Sequence, residues 1–181
     1  SLDASYALLP DPARQALAQL SVFRGGFDID AAERVLALPP GCWPIDALQE
    51  LVDASLLRSE DASGRFWLSA VVQEHAAELL GAPDRAAAEI RHGQVYAELG
   101  GPETVAARLT HRELELMRIA AVELDNLLVA VERALARGDA EVAVPSARAA
   151  WDVLQLRGPY RLAISLVAPL LDLPMTGDLR A

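Results

Sequence analysis

Apolar residues recur at steps of three and four along most of this chain, and a single short stretch breaks the period. A pattern of that kind buries stripes on helices, so the fold is expected to be mainly α with any sheet small. The exception is Leu57-Arg58-Ser59 and Arg65-Phe66-Trp67-Leu68, which flank the turn-rich Glu60-Asp61-Ala62-Ser63-Gly64. Extended runs on either side of such a turn predict a short hairpin.

The helices around the hairpin announce themselves by their ends. Asp11-Pro12 pairs an N-cap residue with the proline that favours the first helical position, Leu17 and Leu20 share a face, and Gly25-Gly26 closes the element. Asp30 and Glu33 have the spacing of a capping box, followed by a stripe of Ile29, Ala32 and Leu36 and a stop at Pro39-Pro40-Gly41. A third helix is predicted from Pro44 to Leu57, with Ile45, Leu48, Val52 and Ser55-Leu56 at helical spacing. After the hairpin, Ser69 caps a fourth helix carrying Val72, Ala76 and Leu79, which ends at Gly81 and Pro83. Three helices, a hairpin and one more helix form a winged-helix pattern, assigned to residues 1–82.

Residues 83–181 are expected to be helical throughout. Asp84 to Leu99 is one helix, closed by Gly100-Gly101-Pro102. Thr110 and Glu113 suggest a capping box for the most regular segment, in which Leu114, Met117, Ala121, Leu124, Leu128, Val131 and Leu135 alternate steps of three and four. That run lasts only about three heptads before Gly138 stops it, which favours one long helix packed on its neighbours over a coiled coil. Asp139 to Leu156 is a further helix with Ala143, Ala147, Ala150 and Leu154 inward, and Gly158-Pro159 turns the chain into a last one carrying Leu162, Leu166 and Leu170. Pro169 should kink or shorten it. Paired helices with small residues at their contacts suggest the start of an α-solenoid, and Trp151, Leu154, Gly158 and Tyr160 faintly echo a tetratricopeptide pattern, though not at its spacing.

Composition narrows the function. The net charge is −10 and every basic residue is Arg. Acidic residues scattered along the chain repel nucleic acid, whose binders usually carry a basic stripe. Cys42 is the only cysteine, so an internal disulfide is excluded and a cytoplasmic protein is the default expectation. No apolar run approaches the roughly 20 residues that cross a bilayer. The start at Ser1-Leu2-Asp3-Ala4-Ser5 has neither an initiator Met nor a secretory signal, and the end at Thr176-Gly177-Asp178-Leu179-Arg180-Ala181 reads as cut, so an excised fragment is expected.

No catalytic residue is predicted. His75, His92 and His111 have no His or Cys partner at a metal-ligand spacing, no GxSxG marks a nucleophile, and no GxxxxGK[ST] cradles a phosphate. Gly25-Gly26 and Gly100-Gly101 are read as helix stops. The helix that would enter a DNA major groove, Pro44 to Leu57, carries Asp46, Glu50 and Asp53 and no Arg, while Arg58 and Arg65 in the wing are offset by Glu60 and Asp61.

Several segments, taken in order, resemble a known family. They are Ser5-Tyr6, Leu8-Leu9-Pro10, Leu20-Ser21-Val22-Phe23-Arg24-Gly25-Gly26-Phe27, and Ala47 through Leu57 with its Val52-Asp53-Ala54-Ser55-Leu56 turn. Arg65-Phe66-Trp67-Leu68, Gln73-Glu74-His75-Ala76, Glu123-Leu124-Asp125-Asn126-Leu127 and Ala134-Leu135-Ala136-Arg137-Gly138-Asp139 continue the series. Together they resemble the region behind the nucleotide-binding domain of bacterial STAND ATPases, the LuxR- and AfsR-type regulators related to NB-ARC proteins.

The resemblance implies a non-catalytic regulatory piece of a signal-transducing transcriptional regulator. Its winged helix docks on the nucleotide-binding domain and helps to hold it closed around ADP. Its tetratricopeptide-like helices sense a ligand or a protein partner, and activation swings the modules apart. ADP or ATP would belong to that other domain, with none in this chain. In NB-ARC relatives a Met-His-Asp motif after the wing touches the nucleotide. The matching positions here are Leu68, Ser69 and Ala70, so the histidine is absent and Ser69, read from its sequence context as a helix cap, is the nucleotide-proximal position that the resemblance offers. The alternatives are a DNA-binding winged-helix transcription factor and a plain helical scaffold for protein–protein contacts.

Overall fold

The computed structural model describes residues 2–60, 62–108 and 112–173. Asp61 of the predicted turn, Thr110 of the predicted capping box, His111 and the segment from Thr176 lie outside them. The described chain is mainly helical, with one two-stranded antiparallel sheet. It forms two compact units, Ser1–His92 and Gly93–Ala181, so the division falls ten residues beyond position 82 and within a helix.

In the first unit, α1 (Leu2–Ala7) precedes α2 (Asp11–Leu20), α3 (Ile29–Val35) and α4 (Pro44–Asp53). Strands β1 (Arg58–Glu60) and β2 (Arg65–Trp67) follow, then α5 (Ala70–Leu79) and the first part of α6 (Ala82–Ala97). Helix α1 is not among the elements expected from residue pattern. Helix α2 is the centre of the unit: Ala13, Ala16, Leu17, Ala18, Gln19 and Leu20 are all buried. Its first residue is Asp11, one position earlier than expected, and Pro10 stands at the N-cap without a side-chain bond. The cap of α3 is Asp28, whose carboxylate accepts the Ala31 N–H at 2.8 Å, which replaces the Asp30–Glu33 box predicted from spacing. Helix α4 stops at Asp53, four residues short of Leu57, because Ser55 adopts φ +60 and lets the Leu56 and Leu57 N–H groups both donate to the Leu51 carbonyl. Its inward face is Ala47, Leu48 and Leu51, and Ile45 points to solvent.

The hairpin pairs Arg58 with Trp67, Ser59 with Phe66 and Glu60 with Arg65. A third short piece joins it, since Phe27 and Phe66 exchange backbone hydrogen bonds of 3.0 and 2.8 Å. That bridge carries Phe27 onto Phe23 at a ring separation of 4.3 Å and toward Phe66 at 6.0 Å, and His92 sets its ring edge on Phe23 at 5.2 Å. Together with Leu17, Leu20, Leu48 and Leu51 these rings form the core.

One buried polar group fixes the link between α3 and α4. The Gln19 amide donates to the Ala37 carbonyl at 3.0 Å and accepts the Ala37 N–H at 2.8 Å, so it pairs with that backbone as a neighbouring strand would. Arg91 completes the arrangement, donating from Nε to the Val35 carbonyl at 2.6 Å and from Nη2 to Gln19 Oε1 at 3.0 Å. Burial pulls this guanidinium below the ordinary arginine range, with Asp84 opposing the shift, and it remains charged at any working pH. Gln19→Leu is expected to cost about 2–3 kcal/mol in urea unfolding, because both Ala37 backbone groups and an Arg91 N–H lose their partner at once.

The second unit holds the end of α6, a 3₁₀ turn (Glu98–Gly100), α7 (Pro102–Arg108), α8 (Glu113–Val122) and α9 (Leu124–Arg137). Helices α10 (Ala140–Arg157) and α11 (Tyr160–Val167) follow, and a closing 3₁₀ turn spans Ala168–Asp172. The single helix predicted across Leu114 to Leu135 is in fact two. The break is at Glu123, which is buried and accepts the Asn126 amide at 2.9 Å, and it moves the inward face to Leu116, Ala120, Leu127, Ala130, Val131 and Ala134. Gly138, at φ +71, ends α9, and Asp139 caps α10 by accepting the Val142 N–H at 3.2 Å. Along α10 the expected residues Ala143, Ala147, Ala150 and Leu154 do point inward. Small side chains let α9 and the Glu98–Gly100 turn press close to α10, whose Pro145 exposes a carbonyl directly against Gly100. The last helix gives way to a 3₁₀ turn just before Pro169, as its ring requires.

Candidate functional site

The winged-helix topology directs attention to α4 and the wing, the parts that such a domain presents to a partner. Asp46, Glu50 and Asp53 recur at i, i+4 and i+7, so they form one exposed carboxylate stripe on α4. Gln49 beside them donates to Asp53 at 2.8 Å. Two large apolar side chains flank the N-terminal end of the stripe: Trp43 is 69% exposed and Ile45 50%. At its other end a cleft of about 530 Å³ is bounded by Leu8, Pro10, Glu50 and Asp53, and Leu8 is 86% exposed. Exposed large apolar groups gathered around charge are the composition of a contact surface.

The wing offers little to a phosphate. Arg65 turns onto the body of the domain, where Nη2 donates to the Gly26 carbonyl at 2.6 Å. Glu60 accepts the Ser63 hydroxyl at 2.6 Å, which holds a carboxylate at the tip. Arg58 is exposed on β1. A duplex brought against α4 would set its phosphates against three carboxylates and gain little from these arginines.

Ser69 stands at the N-cap of α5, exposed, and its hydroxyl accepts the Val72 N–H at 3.4 Å. One turn on, Gln73 donates to the Ser21 carbonyl at 3.2 Å and to the Phe23 carbonyl, anchoring the start of α5 to the loop that follows α2. The inward residues of α5 are Val72 and Ala76, with Leu79 at the surface and Leu80, just past the helix end, buried. His75 is half-buried with its ring edge on Tyr6 at 5.5 Å, and His92 is buried in the core. The two therefore sit in separate aromatic contacts. Cys42 is a half-buried free thiol. Among the described residues no group of three or more His, Cys, Asp or Glu is placed to hold a metal ion, and no helix is long and apolar enough to cross a membrane.

In the sequence only the charge of α4 marks this face, and its apolar half carries no such signal. Trp43 directly precedes the helix-starting Pro44 and lies off the inward stripe, which was the available clue. Nothing local in the sequence marks Gln19 or Arg91.

These elements define a class. Residues 9–81 match the family model of a winged helix-turn-helix domain, and this stretch of the chain is a winged helix. No curated protein and no solved structure matches the chain.

Proposed function

We propose that this chain is a non-catalytic regulatory piece of a STAND-type ATPase and transcriptional regulator, working in the cytoplasm, in which the winged helix docks on the nucleotide-binding domain of the same polypeptide. The observation that carries the reading is the exposed face of α4, where Asp46, Glu50 and Asp53 lie between Trp43, Ile45 and Leu8. Such a face repels phosphates and suits a protein surface of opposite charge with apolar sockets. ADP or ATP belongs to the partner domain in this reading, and Ser69, exposed at the start of α5, is the position nearest to it. The helical second unit is read as a tetratricopeptide-like sensor of a ligand or protein. Support for that part comes from α9 and α10, which are joined at Gly138-Asp139 and meet through Ala134, Val142 and Ala143.

The test is a titration of the chain against the separately expressed nucleotide-binding domain, with ADP and with a non-hydrolysable ATP analogue. Tighter binding in ADP is expected, because a clamp on the closed state must bind the two states with different affinity. Equal affinity in both states would remove the clamp and leave a scaffold. Specific, salt-sensitive binding of a DNA duplex would replace the reading with that of a transcription factor.

A further inference from the structure

The first unit contains a cleft of about 420 Å³ to which neither the docking face nor the core assigns a role. It opens between α2 and the stretch from the end of α5 into α6, and Tyr6 of α1 lies at its side. Two guanidiniums, Arg14 and Arg91, converge on it in a chain of net charge −10, with Asp84 the one carboxylate in its lining. Both arginines are held in place by the fold. Arg91 is fixed through Nε and Nη2 as described above, and its Nη1 donates to no protein group among the described residues. Arg14 donates from Nη2 to the Ala7 carbonyl at 2.7 Å and lies over the Tyr6 ring at 5.5 Å. Its Nη1 is 3.6 Å from the largely solvated Asp11, and its Nε is buried without a partner. The cleft therefore pairs preorganised, partly desolvated cationic donors with an apolar wall of Ala18, Leu80 and Ala87.

We propose that this cleft binds a small organic monoanion, a carboxylate on a compact apolar body. Its oxygens take the Nη1 groups of Arg14 and Arg91, and its body lies against the apolar wall. Arg14, Arg91 and Asp84 in the lining sum to one positive charge, which the solvated Asp11 beside Arg14 reduces further, so a single carboxylate suits the cleft and a dianion such as phosphate does not. Size agrees, since pockets for small molecules begin at about 300 Å³ and combine an apolar lining with a few convergent polar groups. The site stands whether or not the winged helix docks on a nucleotide-binding domain.

Calorimetric titration of the purified chain with benzoate and with hexanoate tests the proposal, with benzamide and inorganic phosphate as comparators. Saturable binding of at least one carboxylate is expected, at least tenfold tighter than benzamide or phosphate. Ala87→Trp fills the cleft from an exposed helical position, and Arg14→Gln removes one charge; each should weaken the carboxylate at least tenfold. Ala87→Trp alone decides if Arg14→Gln fails to fold, as judged by circular dichroism. Absence of saturable binding, equal binding of benzamide or phosphate, or unchanged affinity in Ala87→Trp would each overturn the proposal.

Discussion

Gly100→Ala is expected to destabilise the second unit by about 3 kcal/mol, the upper range for forcing an extra carbon into a packed interior. A Cβ at this position would run into the Pro145 carbonyl, coming within 2.7 Å of its carbon and 3.1 Å of the Ala149 nitrogen. All of these are backbone atoms of α10, so no rotamer change relieves the clash. Either the Glu98–Gly100 turn must lift away or α10 must bend, and in both cases Arg148, which donates to the Gly100 carbonyl at 3.3 Å, loses its acceptor. The neighbouring glycine is the control. A Cβ on Gly101 would meet nothing nearer than 3.4 Å, and its φ of −69 suits any residue, so Gly101→Ala should cost under about 1 kcal/mol. Urea unfolding of the two variants side by side separates the steric cost from a general preference for glycine at a helix end.

Phe27→Ala should cost about 3–5 kcal/mol, the range for truncating a fully buried aromatic ring. Phe27 has no exposed surface, stacks on Phe23 at 4.3 Å and reaches Phe66 at 6.0 Å. The same residue makes the backbone bridge to Phe66, so its ring and its main chain together tie the hairpin to the helices. Removing the ring leaves a cavity where three elements meet. Phe27→Leu, which keeps most of the volume, should lose only about 1 kcal/mol. Thermal and urea unfolding followed by circular dichroism give both numbers, and a cost below that of Phe27→Leu in the alanine variant would contradict the assignment of this core.

What the sequence made legible depends on whether the cause is local. Gly138 and Ser69 act on backbone within three residues of themselves, and each performs the role its type and position suggested, while Asp139, expected as the first residue of α10, is its cap. The inward alanines of α10 follow from period alone. Local pattern misleads where two candidates lie close together or where distant residues decide. Asp28 and Asp30 both stand before an apolar run, and tertiary position selects Asp28. The regular series from Leu114 to Leu135 reads as one helix until the buried Glu123, bonded to Asn126, interrupts it; a polar residue between two stripes was the only trace of that. The Phe27–Phe66 bridge and the Gln19–Ala37 pairing join residues 39 and 18 positions apart, beyond any periodicity argument. The candidate site divides in the same way. Its carboxylates could be read from helical spacing, whereas the exposure of Trp43 and Leu8 depends on which faces the other helices cover.

If the outer face of α4 docks on a protein, Trp43→Ala removes the anchor of that contact. Trp43 is 69% exposed and precedes the helix, so its removal should leave the fold intact. An exposed aromatic that anchors a docked partner typically accounts for about 2 kcal/mol or more, which is roughly thirtyfold in affinity. Trp43→Ala is expected to weaken binding to the nucleotide-binding domain in ADP by that order, while circular dichroism is unchanged. Wild-type affinity in the variant, or no binding by the unaltered chain, would contradict the docking role of this face.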